Sequence, residues 1–590
     1  MSSLLRGRGR IAASLIASLG AVAAAGAVTT GPAQSVPPSG DCATAYPVAD
    51  LAPGDTVDGS TVVRGITPTE FTGEVIGVLK DGIGPGKSMV MVDLDMPEFA
   101  RTGGVWSGMS GSPVYADDGR LIGAVAYGLS FGASEIAGVT PYEYMDDYMP
   151  AAAPAATVDV GRTDAARIAA ASSVTRQQAD DGFSRLPMPL SFSGGGAMSE
   201  LLERSRTQAP PNGPARRYIE KRAITRHGAS AAAPGDPGDP STMLAGGNLA
   251  ATIAYGDITA GGVGTVTSVC GDRVVGFGHP MMFAGRTSLT MHSAGALYVQ
   301  PDALGVPFKV ANIEGPVGTI TDDRISGISG QFDVLPDTMD VTSTLTYPGR
   351  TRSGTTHVSV PGANAEMTFY QQLINHDAVL ESYGPGSELQ NWKITGIDHG
   401  VPFNVSHTDR FASSSDIAFE SPWDVADAVW ALSSMPGVVV EDVVVNGELA
   451  DDHSNWRLSR LEQSRGGRWF TLNRRHPAIT RAGGTMSLRA LLDDGTRTKT
   501  VPLSMFIPTQ SRGAGGFLSV AGGGSSWSNA GGADSVAELK QTLSTMARND
   551  AVEGRLFLES RHGVAERREV SPSTDLVVLG GREVEVHVLR

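Results

Sequence analysis

The chain has 590 residues, with 62 acidic against 46 basic side chains and a formal net charge of −16. That balance argues against a basic nucleic-acid-binding face, so no nucleic-acid partner is expected. A hydrophobic content of 41% excludes a disordered chain, and the length predicts about three or four globular domains.

The first residues carry Arg6, Arg8 and Arg10, followed by an apolar stretch from Ile11 to Val28. Small-x-small sites follow at Ala21-Val-Ala23 and Ala25-Gly-Ala27. This layout predicts a signal peptide over residues 1–33 and a secreted or cell-surface protein. An uncleaved anchor is the alternative, although the stretch is Ala/Gly-rich and weakly hydrophobic for a span. The two cysteines, Cys42 and Cys270, both lie beyond this segment. In an oxidising compartment they are candidates for a disulfide; two buried free thiols are the alternative. Their separation does not suit a Cys-x-x-Cys metal site. No metal and no cofactor are expected, and Walker, dinucleotide and His-Glu-x-x-His motifs are absent from the sequence.

From Tyr46 to about Met149, short apolar runs (Glu74–Lys80, Met89–Asp95, Leu121–Tyr127) alternate with Gly/Pro/Asp turns, the pattern of strands. Residues 150–183 are Ala-rich and predict a helical connector. The stretch 205–242 holds Ala-Pro-Pro-Asn-Gly-Pro and Pro-Gly-Asp-Pro-Gly-Asp-Pro and predicts a loop. Strand signals resume at Leu249. Gly264–Cys270, a Gly271-Asp272 turn and Arg273–Gly278 read as a hairpin that ends on His279. From about residue 401 the texture changes: Val438–Asn446, Trp469–Asn473, Thr485–Leu492 and Thr498–Phe506 predict a separate β-sandwich-like domain over 401–520. A small α+β segment is expected over 534–590. It starts with a capping box, Ser535-x-x-Glu538, and a stripe of Val536, Leu539, Leu543 and Met546 that reads as core packing.

The segment with most chemical content is Gly108-Met-Ser110-Gly-Ser112-Pro, followed by Val-Tyr, a turn and Arg120-Leu-Ile-Gly-Ala-Val-Ala-Tyr. A serine between glycines on a tight turn exposes its hydroxyl, and small neighbours let backbone N–H groups converge on a developing oxyanion. A plain Gly/Ser turn between two strands is the other reading. Ser112 is a second nucleophile candidate, made poorer by the adjoining Pro113. A serine nucleophile needs a base and a group to orient that base. His279, in Gly-Phe-Gly-His-Pro at the end of a strand, is the leading base; His292 and His376 are alternatives. Asp93 and Asp95 end the Met-Val-Met-Val-Asp-Leu-Asp run upstream of Ser110. By alternation they share one strand face. The Asp322-Asp323 and Asp451-Asp452-His453 clusters read as solvated turns, with a Ca²⁺ site as the alternative.

The run Asp95-Met-Pro-Glu-Phe-Ala-Arg-Thr-Gly-Gly-Val-Trp-Ser-Gly-Met-Ser110-Gly-Ser-Pro resembles the nucleophile region of the SpoIVB sporulation peptidase family, and the likeness continues through Gly119–Tyr127. Val275-Gly-Phe-Gly-His279-Pro and Gly318-Thr-Ile-Thr-Asp-Asp-Arg resemble that family's histidine region. The resemblance implies a mainly β fold with a chymotrypsin-like double β-barrel over residues 42–400: a serine segment at 60–149, connector and loop at 150–242, and a histidine segment at 243–400. It implies Ser110 as nucleophile, His279 as general base, Asp95 as orienting acid, and an oxyanion hole made by the Gly108 and Ser110 amides. One departure stands out. In that family the histidine segment precedes the serine segment, whereas here it follows, which implies barrels in permuted order.

Two readings follow. One is an exported serine endopeptidase that cleaves a protein or peptide substrate, or its own chain within 205–242. The other is a secreted binding or scaffold protein that keeps the fold without turnover, with cell-surface association through the C-terminal domain.

Overall fold

A first group of six strands closes on itself: β1 (Thr56–Thr61), β2 (Thr69–Gly84), β3 (Lys87–Asp95), β4 (Pro113–Ala116), β5 (Leu121–Leu129) and β6 (Ile136–Pro141). Pairing runs β1-β2-β3-β6-β5-β4 and returns to β1 through the Val57–Ala116 and Gly59–Val114 partners, so the sheet is a barrel. This computed structural model describes residues 42–589, apart from 131, 146–156, 159, 173, 187–190, 193–236, 303–305, 526–531 and 561–562. The expected signal peptide and most of the 205–242 stretch lie outside the described residues.

A second set of six strands repeats the design. They are β7 (Asn248–Gly256), β8 (Ala260–Cys270), β9 (Arg273–Gly276), β10 (Gly285–Gln300), β11 (Phe308–Arg324) and β12 (Gly327–Phe332). Their ring order is β7-β8-β9-β12-β11-β10, closed by the β7–β10 pairing. The cyclic order of the two barrels is therefore the same, with the third strand joined to the sixth in each. The mainly β, double-barrel architecture expected from the sequence is what the chain adopts. Closure removes exposed sheet edges and gives both barrels an apolar interior.

The barrels pack side by side. All nine residues of β5 are buried: Ile122 and Val125 fill the first barrel, Leu121 and Ala124 meet the second, and Ala126, Tyr127 and Leu129 pack in a cluster with the connector helices. Leu121, Ala124, Tyr142, Met145 and Val275 form the apolar cluster between them. Cys42 and Cys270 are joined in a disulfide. The strap that starts at Cys42 runs along β5, where Thr44 and Tyr46 exchange backbone hydrogen bonds with Leu121. The bridge thus ties a segment lying on the first barrel to the end of β8 in the second.

The second barrel is the edge of a larger sheet. β13 (Met339–Tyr347) and β14 (Arg350–Val358) form a hairpin that joins it through β7. β15 (Gly386–Asp398), β16 (Val401–Ser413) and β17 (Val438–Ala450) continue the sheet, with β17 parallel to β13. Helices α1 (Asn364–Leu380) and α2 (Pro422–Ser434) are packed into the same core. The domain boundary expected at residue 401 therefore falls inside a β-hairpin. His399 and Gly400 supply its turn with φ of +49° and +83°. Likewise Val438–Asn446, expected in a separate sandwich, belongs to β17. Its alternation fits any half-buried strand and does not specify a partner.

A sandwich does exist, over residues 455–589. Its two five-stranded sheets enclose Trp456, Leu488, Leu503, Leu518, Leu556 and Val586. The expected split between 401–520 and 534–590 does not hold, because Val552–Ser560 and Gly581–Leu589 both pair with Gly515–Gly522. Helix α3 (Val536–Thr545) is capped by Ser535, whose side chain accepts from the Glu538 N–H. Its Val536, Leu539 and Leu543 enter the core around α2 rather than the sandwich core. In the connector, helices form at Arg162–Ala171 and Arg176–Asp180, as the Ala-rich composition predicts.

Candidate active site

The equivalent connection of each barrel, between its third and fourth strands, reaches the buried interface between them. In the first barrel this connection is 96–112 and carries Ser110; in the second it is 277–284 and carries His279. Each loop is held by the opposite barrel. The Ser110 carbonyl accepts from Thr265 N–H at 2.8 Å, and the Thr265 and Thr267 hydroxyls donate to the Gly108 and Gly111 carbonyls at 3.0 and 2.8 Å. In return, the Thr140 hydroxyl of β6 donates to the Gly278 carbonyl at 2.6 Å.

Glycine is required where the loops touch. A Cβ on Gly111, where φ is +98°, would lie 1.9 Å from the Thr265 carbonyl oxygen and 2.6 Å from the Phe277 nitrogen. Any side chain there would push the serine loop off β8. A Cβ on Gly278, where φ is +69°, would lie 3.0 Å from the Cβ atoms of both Ala124 and Ala126 of β5. The preceding Phe277 also adopts a positive φ of +68°, uncommon for a bulky residue. The turn that presents His279 is thus held in a conformation its sequence does not favour.

This packing brings Ser110 Oγ to 2.9 Å from His279 Nε2. His279 Nδ1 lies 2.9 Å from the carbonyl oxygen of Pro280. A carbonyl only accepts, so Nδ1 carries the imidazole proton. Nε2 is then the acceptor, and the Ser110 hydroxyl donates to it, the arrangement of a serine beside its general base. The amides of Gly108 and Ser110 donate to no acceptor among the described residues, so two N–H groups beside the Ser110 hydroxyl have no partner within the fold.

The other candidates lie elsewhere. The Ser112 hydroxyl donates to the Met109 carbonyl at 2.6 Å. His292 is buried in β10 between Thr252 and the Glu314 carbonyl, and burial lowers its pKa to about 4. His376, on α1, is paired with Glu388 at 3.0 Å in the core. Asp95 is not brought to His279: it is exposed at the end of β3, opposite Thr72. Asp93 lies beside Glu135, Glu74 and Asp95; burial first, and then those carboxylates, raise its pKa to about 6. Among the described residues, groupings of His, Cys, Asp and Glu suited to a metal ion are absent.

Two buried groups beside the site were not predicted. Lys309 packs its stem under Gly108, donates from its backbone N–H to the Ser107 carbonyl, and donates from Nζ to Asn248 Oδ1 at 3.0 Å. Burial lowers its pKa to about 7. Asp323, read from sequence as a solvated turn, is fully buried at the end of β11. It accepts from the N–H groups of Met281 and Met282 at 2.8 and 2.7 Å and of Ala284 at 3.2 Å. Burial raises its pKa, while these N–H groups and that of Phe283 act in the opposite sense. A bulge between Ile320 and Asp322 shifts the inward alternation of β11 by one residue and turns Asp323 into the loop. The doubled aspartate before a hairpin turn was the available signal.

Two barrels with a serine and a histidine meeting at the interface between them have the architecture of a serine-hydrolase site. The family model described as SpoIVB peptidase S55 matches residues 50–138, which span the first barrel up to β6 and include Ser110. This match supports a serine peptidase, and the family resemblance of the serine segment stands on it. No curated protein and no solved structure matches the chain.

Proposed function

We propose that this protein is an exported serine endopeptidase that cleaves a protein substrate through an acyl-enzyme on Ser110. The observation that carries the reading is the 2.9 Å contact between Ser110 Oγ and the proton-accepting Nε2 of His279. As Oγ attacks the scissile carbonyl, its proton passes to Nε2 and a C–O bond forms. The carbonyl oxygen becomes an oxyanion that the Gly108 and Ser110 amides can receive. The imidazolium then protonates the leaving amine as the C–N bond breaks, leaving the acyl-enzyme. Water activated by the same imidazole releases the acyl group and restores Ser110.

A second reading rests on burial. Ser110 is 1% exposed and His279 0% exposed, so a substrate carbonyl reaches Oγ only if covering segments open. That favours either a latent peptidase or a binding protein without turnover.

Labelling with a fluorophosphonate separates them. If the peptidase reading is right, wild type is labelled and both Ser110→Ala and His279→Ala lose the label. A folded wild type that resists labelling, also after limited proteolysis to release a latent form, would overturn it.

A further inference from the structure

We propose that Asp323, rather than Asp95, is the carboxylate that positions His279, and that it acts through the peptide group between Pro280 and Met281. The inference rests on the peptidase reading for its role in turnover but not for its geometry. One face of that peptide presents the Pro280 carbonyl, which accepts from His279 Nδ1 at 2.9 Å. The other presents the Met281 N–H, which donates to Asp323 Oδ1 at 2.8 Å. A peptide unit is planar, and its C=O and N–H point in opposite directions. The order is therefore carboxylate, N–H, C=O, Nδ1–H, Nε2 and the Ser110 hydroxyl, with every dipole aligned in one sense.

The chemistry of this chain is electrostatic. A negative charge on the N–H side polarises the amide and makes its carbonyl oxygen a stronger acceptor. The Nδ1-protonated tautomer is thereby favoured, which leaves Nε2 free to take the serine proton. When it does, the positive charge on the imidazolium is stabilised by the aligned carbonyl and the carboxylate behind it. No proton crosses the peptide; the only transfer is from Oγ to Nε2.

Asp323 also shapes the loop. Its Oδ2 receives the Met282 and Ala284 N–H groups, and with Met281 and Phe283 all four residues after Pro280 direct their amides at one carboxylate. Phe283, within that wrap, has φ of +59°. A loop folded around a buried anion cannot easily rotate His279 away from Ser110. The neighbouring Asp322 does not share the task, being paired with Arg324 at 2.8 Å.

The test uses the full chain and two readouts. In Ser110→Ala, imidazole ¹⁵N NMR should find neutral His279 as the Nδ1–H tautomer, with His279→Gln used for assignment; the Nε2–H tautomer would overturn the proposal. Because this needs neither turnover nor a charge-removing variant, it stands if Asp323→Asn does not fold or wild type does not label. In Asp323→Asn, loss of the negative charge should move the acid limb of fluorophosphonate labelling, and the His279 NMR titration, to lower pH by about one pH unit. Asp323→Glu, which keeps the charge, should move them less. Slower labelling with an unshifted limb and titration would mean a purely structural Asp323 and would also overturn it. Failure of wild type to label, also after limited proteolysis, with the NMR shift present, would remove the peptidase reading and leave the positioning role intact.

Discussion

Ser110 and His279 are 169 positions apart and belong to different barrels, yet Oγ and Nε2 meet at 2.9 Å. The pair exists only while the barrels are docked. The docking is reciprocal, since threonines of β8 hold the serine loop and Thr140 of β6 holds the histidine loop. Changes that loosen the interface should therefore lower reactivity before they unfold either barrel.

Removing the base should leave the fold and remove the chemistry. His279→Ala is expected to slow labelling of Ser110 by roughly 10²–10⁴-fold, the usual contribution of a positioned base. Circular dichroism and urea unfolding should show a protein that is still folded. A variant labelled at the wild-type rate would mean that Nε2 does not activate the serine.

Gly111 tests the contact between barrels. Gly111→Ala places a methyl where only 1.9 Å separates it from a backbone oxygen, at a φ of +98°. It should cost about 2–4 kcal/mol in urea unfolding and lower labelling further than stability alone explains. Gly119→Ala, also at positive φ (+80°) but with open space around it, should cost less and leave labelling intact.

The disulfide holds the strap that crosses from one barrel to the other. Replacing both Cys42 and Cys270 by serine should lower stability by about 2–4 kcal/mol. Cys42 is exposed, so a reductant should reproduce the effect in wild type. Unchanged stability after complete reduction, checked by thiol alkylation and mass spectrometry, would show that the bridge does not support the interface.

Lys309 predicts a pH-dependent stability difference. Its pKa falls to about 7 in the folded protein from an ordinary value of 10.5, because burial disfavours the charged form. Between those values the unfolded chain binds more protons, so this group makes stability rise with pH there. Below pH 7 it is charged in both states and its full penalty applies. The stability of Lys309→Met relative to wild type should therefore be greatest at pH 6 and shrink toward pH 10, by up to about 1.4 kcal/mol per pH unit. Urea unfolding of both proteins over that range checks it. A difference that is flat with pH would mean that the amine is not desolvated.

How much of this was legible varies by element. The runs that became β2, β3, β5, β8 and β9 were marked by alternation and by Gly/Asp turns, which are local signals. Gly108-Met-Ser-Gly-Ser-Pro and the strand ending on His279 were visible for the same reason. The boundary at 401 was not, because His399-Gly400 forms the kind of turn that either links two strands of one sheet or ends a domain. The partner of β17 was hidden too: it pairs in parallel with a strand about 100 positions earlier, and side-chain periodicity carries no record of that.

The sequence by itself determined the strand-rich texture, the two cysteines available for a bridge, and the two loops that carry serine and histidine. These follow from spacing and residue type over a few positions. Tertiary structure alone decided which carboxylate stands behind the histidine. Asp95 and Asp323 are chemically the same group at the end of a strand. One stays in water at the edge of β3, while a bulge in β11 turns the other beneath the loop after His279. Burial and hydrogen-bond direction depend on how the chain closes over itself, and that closure is a property of the packed barrels.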